Sequence, residues 1–450
     1  MKKILSLLLS ALILFSACKK NVDRVFSESF DERINGSIAK YQAVLTSAQY
    51  GWKALITTDH GNGGTYAFYM LFNDSNRVTM VSDFDTTSAV TPQASGYRIR
   101  QQQQPTLIFD TYSYVHVLAD PNEDAVILSN VNGGPVGQGL LSDFEFIVNP
   151  DDIAGDTLKL TGKVNGAKLV MTKATAQEAG IFLSGQWVLL ESYLTKKLLT
   201  YYKRIPIGGE AYDLYNDPFT KTLTFQKTNG TTVVTHTTGY YNTVDGIVLY
   251  DPLSAASGSI SQINIGTWDP ATSTLNVQVG SENTTITETV FPLNGALQTT
   301  SPKEWWDYAI NNGATYWITV DGFHVDGVDD AFNLRGLKSG ANTYYYFIYW
   351  PMYNPNNNDL LAPAFLNASQ TALTLIYGAA PAIPAFTPDG IVKFKLLGNY
   401  GNYPTDPNNA AKKTRDLFFQ PAGFYFVKIS DTKYDMVSAA NGRAWLRWEF

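Results

Sequence analysis

The chain reads as a mainly β protein. Antiparallel meander and hairpin sheets, sandwich-like or open-barrel-like, are expected in two or three segments, with an N-terminal helix and a few short helices. Three observations carry this reading. Alternating runs such as "DTLKLTGKVNGAKLVMTK" recur between clusters of Gly, Asn, Asp and Ser. Charged residues are 16% of the chain and aromatic ones 13%, a composition of ordered sheets, not of a disordered chain. Helical spacing of apolar residues is confined to a few short stretches.

The first element is a leader. Lys2 and Lys3 precede an apolar run from Ile4 to Phe15, followed by the small residues Ser16 and Ala17 and then Cys18. A charged start, a short apolar centre and a small-residue cleavage site define a secretory signal. The run falls short of the roughly 18–20 residues that a permanent helical span needs. Phe15-Ser16-Ala17-Cys18 resembles the lipobox of bacterial lipoproteins, which implies cleavage before Cys18 and lipid attachment to it. Cys18 is the single cysteine of the 450 residues, so an exported chain has no disulfide to form with it. The expected organisation is a signal peptide over 1–17, a tether over 18–26, a helix-plus-β domain over 27–174, a second β segment over 175–300 and an aromatic-rich β segment over 301–450.

Within 27–174, Ser29 and Glu32 fit a capping box, and Ile34, Ile38, Tyr41 and Leu45 keep helical spacing up to Gly51. "WKALITT", "TYAFYMLF", "RVTMVSDF", "TLIF" and "FEFIVNP" follow as strands. Asn165-Gly166 predicts a type I′ hairpin turn. In the second segment Leu189, Leu190, Tyr193, Leu194 and Leu198 predict one helix within 175–203, and a hairpin is expected over Asn229-Gly230. In the third, Pro302 with Ser301 and Glu304 predicts a capped helix. "TVDGIVLY" (243–250) echoes "TPDGIVKF" (387–394), either a distant duplication or two separate Asp-Gly turns. The terminal "AWLRWEF" resembles the last strand of an outer-membrane barrel. Asp and Asn throughout the strands break the lipid-facing bands a barrel needs, so it is read as the last strand of a soluble sheet.

The stretch "ACKKNVDRVFSESFDERINGSIAKYQAVLTSAQYGWKA", with "TLIFDTYSYVHVLADP" further on, is similar to a family of Bacteroidetes lipoproteins known as domain of unknown function 4302. The likeness covers roughly the first 170 residues. It implies an outer-membrane lipoprotein beside nutrient-uptake machinery and implies no activity. Lys19 and Lys20 stand where acidic residues favour surface export, so the leaflet stays open.

Composition narrows the function. The formal charge is −7, and loss of the leader removes two lysines and no acid, leaving 31 basic against 40 acidic residues. An acidic chain without a basic block is a poor partner for nucleic acid. Four scattered histidines and the absence of H-E-x-x-H, G-x-S-x-G and phosphate-loop patterns point away from catalysis. "VDGFHVDGVDD" places Asp321, Asp326 and Asp329 around glycines, a set of hard oxygen ligands that suits calcium; a solvated turn is the alternative. "NTYYYFIYWPMYNPNNND" offers Tyr345, Phe347, Tyr349, Trp350 and Tyr353 as a stacking surface for a glycan or apolar ligand, against burial of both strand faces. The expected function is non-catalytic: a lipid-anchored envelope protein that binds a glycan, a peptide or another nutrient ligand, or a partner of an uptake system. The alternatives are a secreted hydrolase with a site invisible in sequence, and a structural or adhesive surface protein.

Overall fold

The computed structural model describes residues 29–58, 64–122, 138–149, 152–217, 221–293, 298–313, 315–354 and 358–450. The leader and Cys18 lie outside them. The described residues are mainly β, arranged as three antiparallel sheets with few helices.

Helix α1 (Phe30–Thr46) opens the first unit. Ser29 Oγ accepts the Glu32 N–H at 3.2 Å, and the Glu32 carboxylate accepts the Ser29 N–H at 2.7 Å, so the expected capping box is present. Those bonds hold the Glu32 carboxyl below its ordinary value. The helix ends at Thr46, five residues before Gly51. Gly51 instead turns the chain into the first strand at φ +77°, where a Cβ would sit 2.8 Å from the Tyr69 ring.

Nine strands follow: β1 (Trp52–Thr57), β2 (Thr65–Phe72), β3 (Arg77–Ser82), β4 (Gln93–Gln101), β5 (Pro105–Phe109), β6 (Glu145–Ile147), β7 (Ile153–Ala154), β8 (Thr157–Gly162) and β9 (Lys168–Lys173). They run in the order β6-β5-β4-β3-β2-β1-β9-β8-β7, and β6 also pairs with β8, which joins the sheet into a ring. Strict alternation sends Trp52, Ala54 and Ile56 of β1 inward, where Tyr41 and Leu45 of α1 meet them. The Trp52 indole N–H donates to Leu45 O at 2.8 Å, so the buried ring keeps its hydrogen bond.

The turn between β8 and β9 is not type I′. That turn needs positive φ at both central residues, and only Gly166 has it (+77°). The loop spans 163–166 and wraps a buried carboxylate: Asp143 accepts the N–H groups of Val164 (2.7 Å), Asn165 (3.1 Å) and Ala167 (3.2 Å). A distant side chain has replaced local turn chemistry.

The second sheet is a closed eight-stranded barrel. Its strands are β10 (Tyr202–Ile207), β11 (Glu210–Asp217), β12 (Thr222–Asn229), β13 (Thr232–Thr243), β14 (Gly246–Ala255), β15 (Gly258–Asp269), β16 (Thr274–Val279) and β17 (Glu282–Thr289), with β17 returning to β10. The β12–β13 turn is Gly230-Thr231, one residue later than expected. Ahead of the barrel lie α2 (Tyr114–Val117), in the first unit, then α3 (Ala176–Leu183) and α4 (Leu189–Lys196). The single expected helix is thus two, broken at Gly185 (φ +73°) and followed by a short 3₁₀ turn. Leu190, Leu194 and Leu198 pack into one end of the barrel core with Ile205, Leu214 and Ile286.

The third sheet carries its order through Phe424–Ser430, Lys433–Ser438, Ala444–Glu449, Trp317–Thr319, Asn342–Trp350 and Leu360–Leu366, with α5 (Ser301–Asn311) and α6 (Ala410–Phe418) on its aromatic core. The α5 N-cap is Thr300, not Ser301, and its hydroxyl donates to Glu304 at 2.7 Å. The terminal strand belongs to this sheet. The two Asp-Gly echoes close turns of different length, two residues between Thr243 and Gly246 but five between Phe386 and Val392. They serve sheets of different connectivity.

Candidate functional site

The three units are joined through buried polar contacts. Lys221 and Asp83 form an ion pair at 2.5 Å, both buried, and Asp83 also accepts the N–H groups of Ala67 and Asn242. Tyr250 donates to Thr65 O and accepts the Thr65 N–H. On the other side, the Tyr201 N–H donates to Gly442 O at 2.7 Å and its hydroxyl donates to Asp435 at 2.6 Å.

Where the units meet, at the mouth of the middle barrel, lies a cavity of about 320 Å³. Its wall draws Phe84 and Thr86 from the first unit, Glu191 and Lys203 from the second, and His324 and Trp445 from the third. The volume suits a small molecule. Barrel geometry places two of its groups. Ile205 and Ile207 of β10 and Tyr212 and Leu214 of β11 face the barrel core, and the same alternation turns Lys203 and Asn216 inward at the mouth.

Arg447 organises one wall. Its guanidinium grips Asp435 through two bonds (2.8 and 2.9 Å) and donates to the Tyr215 hydroxyl (3.1 Å) and Asp217 (3.4 Å). Burial opposes its charge, but the paired Asp435 carboxylate more than restores it, and its pKa lies above the ordinary guanidinium value. Burial pushes the Tyr201 and Tyr215 hydroxyls well up, so both stay protonated. Tyr201 stacks on Tyr215 with ring centroids 4.6 Å apart, and Trp445 meets the pair edge-on. His324 stacks on Trp445 at 5.0 Å. Burial raises the Glu191 carboxyl, whose oxygen accepts from Asn242 at 3.0 Å.

The acidic loop expected for calcium lies at this site, with its carboxylates committed to protein partners. Asp321 pairs with Arg335, Asp329 with His324 at 2.6 Å, and Asp326 faces Arg443 at 3.9 Å. Among the described residues no three His, Cys, Asp or Glu side chains gather to hold a metal ion. Asp321 and Asp329 line the cavity, so these residues come together as part of its charged rim.

The aromatic strand lies elsewhere in the third sheet. Phe347 and Tyr349 are 0% exposed and pack with Trp305, so these two rings form core and offer no stacking surface. Tyr349 also bonds the buried Asp359, which accepts the Trp306 indole N–H at 2.9 Å. A bulge between Tyr344 and Tyr346 interrupts the alternation and turns Tyr345 outward, 50% exposed. Tyr353 is 41% exposed and meets the partly buried Trp350 edge-on at 5.2 Å. The Asn-rich loop at 355–357 lies outside the described residues. Lys203, Asn216, Glu191 and Arg447 were not singled out from sequence. Arg447 alone carried a signal, as a charged residue between tryptophans in the final strand.

This geometry defines a class: a mainly β protein of two strand rings and a third sheet, with a cavity at their junction. The family described as Domain of unknown function (DUF4302) matches residues 22–270, and the chain belongs to it. No curated protein matches the chain. Among solved structures, the β subunit of DNA polymerase of Streptococcus pyogenes aligns at 8% identity over 91% of this chain and 97% of that one, with a TM-score of 0.13. A Helicobacter pylori β clamp aligns at 8% identity over 93% and 96%, with a TM-score of 0.13. The β subunit of Thermotoga maritima DNA polymerase III aligns at 7% over 92% and 96%, again at 0.13. Scores that low carry no argument about fold or function.

Proposed function

We propose that this protein is a lipid-anchored protein of the bacterial outer membrane that binds a small nutrient-derived ligand in the junction cavity and performs no chemistry on it. The cavity carries the reading. It is sized for one small molecule, walled by rings and polar groups, and formed by residues from three separate units. Its wall is rigidly cross-bonded, as a preorganised binding surface should be. The leader pattern ending in Cys18 supports the anchor, and the resemblance to envelope lipoproteins supports a place beside uptake machinery.

Thermal-shift screening of the full-length chain in detergent against mono- and oligosaccharides, short peptides and small metabolites tests the binding claim. At least one class is expected to raise the melting temperature. Thr86→Trp, at the half-buried rim, is expected to abolish that rise by filling the cavity while leaving the unliganded melting point within a few degrees. A ligand whose binding ignores Thr86→Trp, or a screen without any hit, contradicts the reading.

A further inference from the structure

We propose that the ligand carries a carboxylate, seated on the Lys203 ammonium and the Asn216 side-chain amide at the mouth of the middle barrel; this rests on the cavity being a ligand site. The argument is one of hydrogen-bond accounting. A buried polar group costs free energy unless it is paired, and a buried charge costs more.

The acids of the wall are all engaged. Asp85 accepts the Thr87 and Ser88 N–H groups, Asp217 accepts from Arg447, and Asp330 accepts the Leu334 and Arg335 N–H groups. Glu191, Asp321 and Asp329 have the partners given above. The cations Lys196, Arg335 and Arg447 are engaged too, Lys196 with the Thr86 hydroxyl at 2.8 Å. Two donors stand apart. Lys203 is 7% exposed and has no hydrogen-bond or ion-pair partner among the described residues. Asn216 Nδ2 is buried and without a partner among them.

The two donors are neighbours. Lys203 pairs with Leu214 across the β10–β11 ladder, and Asn216 lies two residues beyond Leu214 on the same face. Such diagonal neighbours lie roughly 7–8 Å apart, a gap a long lysine side chain spans. The amide orientation is set by Tyr240, whose hydroxyl donates to Asn216 Oδ1 at 3.2 Å, leaving Nδ2 as the free end. Glu288 stands opposite Lys203 in the β10–β17 ladder. Its carboxylate is already taken by the Leu199 and Thr200 N–H groups and by Arg443.

One ammonium and one amide N–H, side by side, match the charge and the two oxygens of a carboxylate. A phosphate brings more charge and more acceptor oxygens than two donors satisfy. A neutral sugar hydroxyl brings the ammonium no charge of its own and leaves it only Glu288, whose carboxylate is already bonded elsewhere.

The experiment is isothermal titration of the full-length chain in detergent with glucuronate, galacturonate and a set of small dicarboxylates. Glucose, galactose and inorganic phosphate are the controls. At least one carboxylate is expected to bind at least about tenfold more tightly than every control. Lys203→Met, which retains bulk and removes charge, is expected to weaken it by about 30-fold, the loss typical of a charge-assisted bond. Lys203→Arg is expected to recover part of that loss. Binding that is equal for acid and neutral sugar, or unchanged in Lys203→Met, overturns the carboxylate assignment and leaves the cavity reading standing if Thr86→Trp still blocks it. No binding by any carboxylate overturns it as well.

Discussion

Lys203 shows how far a single residue departs from its sequence appearance. It falls at the end of a stretch read as helical, and nothing in "TYYKRIPIGG" marks it as buried. Inside the barrel mouth, burial pushes its pKa down to about 8 against the opposing pull of Glu288. The unfolded ammonium titrates near 10.4. Between those values the unfolded chain binds the extra proton, so stability contributed by this site rises with pH from about 8 to about 10. Glu288 from β17, Arg443 beside it and Glu191 from α4 surround the site, so the comparison needs a variant. Lys203→Met is expected to be more stable than the unmodified protein at pH 7, by up to about 3 kcal/mol, with the gain fading towards pH 10. Urea unfolding at several pH values measures this; a gain independent of pH refutes a buried, depressed ammonium. Asp321, Asp326 and Asp329 teach the converse. Their clustering was plain in sequence, but Arg335, His324 and Arg443, which face them in the fold, were not.

At the scale of elements, what is local was legible. The Ser29–Glu32 box depends on residues three apart, and it is present. The aromatic strand was legible as a strand, but its exposure was not. The bulge at Tyr345 arises from pairing with Leu360–Leu366, and the core that covers Phe347 and Tyr349 comes from helices and strands far along the chain. The Asn165-Gly166 turn misled for the same reason: Asp143, over twenty residues upstream, sets its shape. Asp143→Ala strands three backbone N–H groups and should cost about 2–4 kcal/mol in chemical denaturation. A loss under about 0.5 kcal/mol would show that the turn holds itself.

At the scale of the molecule, alternation revealed strands but not closure. The rings depend on the β1–β9 and β10–β17 pairings, which join residues far apart in the chain, and no periodicity encodes them. The buried Lys221–Asp83 pair, which ties the first ring to the second, spans 138 residues. The cavity is the extreme case, because its wall runs from Phe84 to Arg447 and exists only when three units have met. A site assembled this way leaves no motif. The most direct test is therefore a crystal structure of the protein with the tightest binder from the screen. Ligand density between Lys203, Glu191 and Trp445 is the expected result. Density beside Tyr345 and Tyr353, with the junction cavity unoccupied, would contradict the account.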